Sequence, residues 1–242
     1  MRKLLYLMLL LPLVMVAQEN ESFLLNMTQI TVKHGHEAQF IEGVKAWKAC
    51  YLENKGEDKW NMWRRVQGKG TVYGLTGVMA KWAEMDDDND EAGKACRMTV
   101  INLIRPHIES IEYNIARSMP NISEKLSMSD DISLVWVHYF KIKNSTLFME
   151  VINETTAALK KAEGDGRGTW YSLMGGSPDV ADYFVSVPFK NFADLDTDRD
   201  GVWKVYEKVN GKAKTDATRN KMRDALSSEW SYMYTLNKEL SN

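Results

Sequence analysis

The sequence predicts an α+β fold in which two tandem βαββαβ modules pack their sheets face to face, or curl them together into a barrel, within one chain. Three observations predict it. The second half repeats the first without a gap at a displacement of 110 positions, so that Trp60, Tyr73, Trp82, Ala83, Glu84, Met85, Asp86, Asp88 and Asp90 meet Trp170, Tyr183, Phe192, Ala193, Asp194, Leu195, Asp196, Asp198 and Asp200. Hydrophobic periodicity in each half alternates between the strand period of two and the helical spacing of three and four. In the first strand of the second half both alternating sets are apolar or aromatic, Val135, Val137 and Tyr139 against Trp136, His138 and Phe140. Such a strand is buried on both faces.

The first module opens with residues 26–33, a Thr-, Ile- and Val-rich strand followed by the turn residue Gly35. Over residues 36–54, Phe40, Ile41, Val44, Trp47 and Tyr51 recur at helical spacing. Residues 60–67 and 71–82 read as a hairpin around Gly68, Lys69 and Gly70. After the acidic stretch 86–91, Ala92, Cys96, Val100 and Leu103 form a second helical stripe that Pro106 ends, and residues 108–116 close the module as a strand. The second module follows the same order: a strand at 133–141, a helix with Phe148, Val151, Ile152, Thr155 and Leu159 on one face, and a hairpin of 169–174 and 180–187. A helical region over 202–226, interrupted near Asn210 and Gly211, leads to a last strand at 229–236. Residues 18–118 and 133–242 are thus the two modules, and 119–132 the linker.

Residues 1–17 have the grammar of a secretory leader: Arg2 and Lys3, an apolar run over 4–16, then Ala17 before polar residues. The run is shorter than the roughly 20 residues of a membrane span. Its removal leaves roughly 225 residues, enough for two modules with real cores. The expectation is an exported protein, periplasmic or extracellular, with no further membrane span. Thirty-one basic residues against 33 acidic ones give a net charge of −2, which speaks against a nucleic-acid surface. The chain has only two cysteines, Cys50 and Cys96; in an oxidising compartment they pair as a disulfide, the alternative being two buried thiols.

The order of elements is that of a ferredoxin-like sandwich, and at this point the chain resembles the dimeric α+β barrel superfamily. The residues that carry the resemblance are Lys33-His34-Gly35-His36-Glu37-Ala38-Gln39-Phe40, similar to a strand-to-helix junction common in that group, and the later Trp82-Ala83-Glu84-Met85-Asp86 and Phe192-Ala193-Asp194-Leu195-Asp196. The resemblance implies an intramolecular pseudo-dimeric barrel in a monomer. It also implies kinship with haem-degrading and antibiotic-biosynthesis monooxygenases and lactone isomerases. No activity-specific motif of those families matches, so no catalytic residue is carried over.

Three candidate sites follow. Trp60, Arg64, His138 and Trp170, with Met62, Trp63 and Arg65 nearby, could line an apolar cavity between the sheets; the competing reading is plain aromatic core. His138, in a mostly apolar strand, is the one histidine placed to act as a base or bind a haem iron there, or it is a hydrogen-bonded core residue. Asp196, Asp198, Asp200, Val202 and Glu207 fit the spacing of a twelve-position calcium loop, with Gly201 at the sharp turn. Against calcium, Lys204 occupies a ligand position, and an acidic helix start explains the pattern without a metal. The expected function is the binding of a small apolar or amphipathic molecule. The alternatives are a monooxygenase- or isomerase-like enzyme and a calcium-stabilised structural protein.

Overall fold

Gly68 and Gly70 adopt φ of 105° and 75°, a region that side chains resist, and so reverse the chain between β2 (Asn61–Arg65) and β3 (Thr71–Met79). These are two of eight strands in the computed structural model, which describes residues 21–86, 89–125 and 131–242. The leader at 1–17 lies outside the described residues, as do Asp88 and part of the expected linker. The other strands are β1 (Leu24–Val32), β4 (Ile108–Ser118), β5 (Leu134–Ile142), β6 (Thr169–Leu173), β7 (Tyr183–Phe189) and β8 (Leu226–Leu236). They close into a barrel in the order β1-β3-β2-β8-β5-β7-β6-β4, with every pairing antiparallel.

Two narrow seams close the wall. At one, Trp63, Arg64 and Arg65 of β2 face Leu236, Thr235 and Tyr234 of β8. At the other, Ala116, Arg117 and Ser118 of β4 face Leu173, Ser172 and Tyr171 of β6.

Helices lie outside the wall. The helix α1 (Glu37–Glu53) buries Phe40 and Val44 against Ile30, Val32, Met62 and Tyr73. Its Gly43 is a close-approach position: a Cβ there would sit 2.1 Å from the Leu103 carbonyl oxygen. The helix expected to run to Pro106 is broken instead. It consists of α2 (Glu91–Ala95), α3 (Arg97–Thr99), a π-helical turn over Val100–Ile104 and a 3-10 turn over Arg105–His107. The break falls at Cys96, whose φ of −93° and ψ of 5° are not helical. Cys96 is bonded to Cys50 of α1, with the two Cα atoms 5.9 Å apart, so the expected disulfide forms.

In the second half, Asn144 caps α4 (Ser145–Glu163) by accepting from the Leu147 N–H, and Gly164 ends it at φ 88°. Phe148 and Ile152 of α4 pack on Trp170 and Val185. The expected interruption at 210–211 is present: Gly211, at φ 81°, separates α5 (Val202–Asn210) from α6 (Lys212–Ala225). Residues 82–86 and 192–196 are 3-10 turns, with only Trp82 of the first expected to end a strand. Each is held by an acidic side chain, with Glu84 accepting from the Ala80 and Lys81 N–H groups and Asp194 from the Lys190 N–H.

The disulfide closes a loop of sequence separation 46, and chain entropy assigns such a loop about 4 kcal/mol. Cys50→Ala/Cys96→Ala is therefore expected to lower the unfolding free energy from urea titration by an amount of that order, with a matching fall in the midpoint, and reductant should do the same to the unsubstituted chain. Equal midpoints with and without reductant would show that the bond contributes nothing.

Candidate functional site

Period-two alternation in a closed wall gives each strand an inner and an outer set of side chains. The register defines them. Tyr139 lies opposite Trp230 and Phe184, Val137 opposite Tyr232, and Val135 opposite Tyr234. Arg65 lies opposite Tyr234, Trp63 opposite Gly74, and Ala116 opposite Leu25 and Leu173. These residues share the inside of the barrel, where Ala116, Val137, Tyr171, Phe184 and Tyr234 form a buried cluster with Leu25, Met27, Trp63, Tyr139, Leu173 and Tyr232 packed against it.

The space that the wall encloses is its lumen. Trp63, Tyr139 and Tyr232 belong to the inner set and are half-buried. At Gly74, also on the inner set, a Cβ would meet only the Trp63 Cβ, at 3.9 Å. Where β5 and β6 end and β7 begins, a cleft of about 430 Å³ is rimmed by Lys141, Leu173, Gly176 and Asp182. Leu173 packs against the inner cluster, so the cleft adjoins that end of the barrel.

One side of the lumen is apolar and flat, with Tyr171 stacked on Phe184 at 4.7 Å and 13° and Tyr139 on Trp230 at 5.6 Å and 11°. The other carries a polar group. The hydroxyls of Tyr139 and Tyr234 lie 3.2 Å apart, and the Arg65 guanidinium carbon sits 4.5 Å over the Tyr232 ring. Burial pushes the phenols of Tyr139 and Tyr234 above the ordinary tyrosine value and that of Tyr171 up to about 12. All three are neutral donors at physiological pH.

The four residues expected to line a ligand between the sheets all lie on the opposite face. Trp60 packs with Tyr51 and Ala92 outside the wall and donates to the Leu240 carbonyl at 2.8 Å. Arg64 pairs with Glu37 of α1 at 2.7 Å, and Tyr73 donates to the same carboxylate. Trp170 belongs to the core under α4. His138 lies between inward Val137 and Tyr139, and so faces out, its ring stacked on Trp136 at 5.0 Å. The correction has a simple cause: a strand buried on both faces hides which alternating set is which. Trp63, Arg65, Tyr139 and the alternating Trp230, Tyr232 and Tyr234 are the residues that reach the interior. An aromatic at every second position of β8 was the available signal.

The calcium loop is not assembled. Asp200 pairs with Lys204 at 2.6 Å and also with Lys208, and these hydrogen bonds hold its carboxyl down to about 2. The segment before the loop is a 3-10 turn, and α5 begins at Val202, which spends the carbonyl a calcium loop would use in a helical first turn. Among the described residues no group of three or more His, Cys, Asp or Glu side chains could hold a metal. Millimolar calcium should accordingly leave the melting temperature unchanged, whereas a bound ion would raise it by mass action.

Burial lowers the basicity of His138. The unfolded chain therefore binds this proton more readily, and the stability that the neutral ring contributes is lost as pH falls through the ordinary histidine value of about 6.5. In urea titrations His138→Phe should lose less of its midpoint between about pH 7 and 5 than the unsubstituted chain does; parallel losses would assign the acid sensitivity to other groups.

No family model and no curated protein matches this chain. Solved structures do. An anthrone oxidase-like protein superposes with a TM-score of 0.55 at 7% identity, over 90% of this chain and 92% of its own. Candidate monooxygenases from Lactobacillus acidophilus NCFM (TM-score 0.52, 9% identity, 92% and 99% covered) and Fusobacterium nucleatum subsp. nucleatum (0.52, 12%, 90% and 94%) align similarly. The fold is that of the dimeric α+β barrel proteins. At these identities the likeness is one of architecture.

Proposed function

We propose that this protein is an exported, monomeric binding protein for a small amphipathic molecule held in the lumen of its barrel. The observation that carries the reading is the set of inward, half-buried aromatic side chains Trp63, Tyr139 and Tyr232, together with the open position at Gly74 opposite Trp63. Apolar walls with a few placed polar groups are the usual composition of small-molecule sites. Export is supported by the Cys50–Cys96 disulfide, and closure of the wall within one chain supports the monomer.

The tandem origin of the barrel belongs to the same proposal. Strands β4-β1-β3-β2 and β8-β5-β7-β6 follow one another in the same relative order, in keeping with the sequence repeat at 110 positions.

The test is a titration with N-phenyl-1-naphthylamine, a neutral dye that fluoresces in apolar surroundings. Saturable one-site binding is expected. Gly74→Leu, which fills open inner space and adds a residue suited to a strand, should weaken that binding at least about tenfold, equivalent to 1.4 kcal/mol, while the circular dichroism melt stays cooperative. Binding that is unaffected by Gly74→Leu would place the dye elsewhere and remove the lumen as the site. A second reading, oxygenase-type chemistry in the same lumen, takes its support from neighbours named as anthrone oxidase-like and monooxygenase. Oxygen consumption with an anthrone-type aromatic would distinguish it from binding alone.

A further inference from the structure

Arg65 stands on the inner set of β2 with an incomplete set of partners. One terminal nitrogen donates to the Lys69 carbonyl, and the guanidinium lies over the Tyr232 ring. Its Nε is buried and has no hydrogen-bond partner. Among the described residues only one other buried side-chain nitrogen is in this position, Trp136 Nε1 on the outer face. No carboxylate among the described residues pairs with Arg65. Its sequence neighbour Arg64 has Glu37 on the outer face, and Glu112, on the inner set of β4, accepts from Asn114 at 3.2 Å.

A guanidinium carries its charge at every accessible pH. Buried donors without acceptors are costly. The adjacent phenols add to the demand. Two hydroxyls 3.2 Å apart share one proton in the bond between them, so the second O–H proton remains to be donated. The inner set at this end of β2 therefore holds an N–H donor without an acceptor and, on its register partner Tyr234, a hydroxyl pair with a proton to spare. The stacked pairs Tyr171–Phe184 and Tyr139–Trp230 leave flat walls around the remaining space.

We propose that the lumen selects an aromatic acid, a flat apolar body ending in one carboxylate, with the carboxylate on Arg65 Nε and the Tyr139–Tyr234 pair. This rests on the lumen being the binding site and adds the chemical class of what fills it. A neutral ligand would satisfy the donors with a carbonyl but leave the guanidinium charge uncompensated; a carboxylate supplies both, with up to four acceptor positions on its two oxygens. An aliphatic acid would meet Arg65 equally well and lose the stacking.

The test compares two near-isosteric ligands, naphthalene-2-carboxylate and naphthalene-2-carboxamide, as displacers of N-phenyl-1-naphthylamine from the oxidised, mature protein. The carboxylate should displace the dye at a concentration about tenfold or more below that of the carboxamide, the range of one hydrogen bond to a charged group. In Arg65→Met that ratio should fall to about one, with Arg65→Lys intermediate because the charge is kept and the Nε donor lost; circular dichroism melts establish that each variant is folded. Equal displacement by the two ligands in the unsubstituted protein would overturn the proposal and leave the lumen as a neutral apolar site. A preference that survives Arg65→Met would overturn the assignment to Arg65. If the dye and both naphthalenes fail to bind at all, the binding reading itself falls, an outcome distinct from loss of selectivity.

Discussion

Everything in this protein depends on two short seams. A four-stranded antiparallel sheet has two edges, each a row of unpaired backbone groups that would otherwise recruit another chain. Here β2 pairs with β8 and β6 with β4 over three residue pairs at each seam, and the wall has no edge left. Backbone bonds beyond the ladders extend both joins: Asn237 donates to the Met62 carbonyl and Asn242 to that of Trp60, while Met119 donates to Trp170 and Met174 to Ile115. Closure fixes an inside and an outside for every strand. Once it is made, no side chain can change its role without a register shift along a whole strand.

The two sides of the wall are stabilised differently. Outside, α1 and α4 each press a fully buried phenylalanine, Phe40 and Phe148, onto the strands, and the disulfide fixes the irregular α2–α3 region to α1. This packing is apolar, and burying it stabilises the fold by the hydrophobic effect. Inside, large aromatics line the wall, and the Arg65 guanidinium lies over the Tyr232 ring with its Nε unpaired.

The chain's far end also has a structural part. Residues 237–242 fold back over the first half, where Leu240 is fully buried, Trp60 donates to its carbonyl and Ser241 Oγ accepts from the Met62 N–H. Nothing in a tail of Asn, Lys, Glu, Leu, Ser and Asn marks it as a clamp. Its role follows from β8 ending beside β2, a consequence of barrel closure.

The sequence alone determined the order of the elements, because local periodicity, turn glycines and the break at Asn210 and Gly211 act within a few residues of themselves. It also made the Cys50–Cys96 bond the leading expectation, since only two cysteines exist. The tertiary structure decided which face of each strand looks inward. Val135, Val137 and Tyr139 are no more apolar than Trp136, His138 and Phe140, so hydrophobicity could not choose between the sets, and the choice fell to pairings between residues as distant as Arg65 and Tyr234. The calcium spacing failed for the same kind of reason: coordination needs carboxylates converging in space, and Asp200 instead turns to two lysines one and two helical turns away on α5. Spacing along a chain is local information, whereas a binding site is a property of segments that only the closed wall brings together.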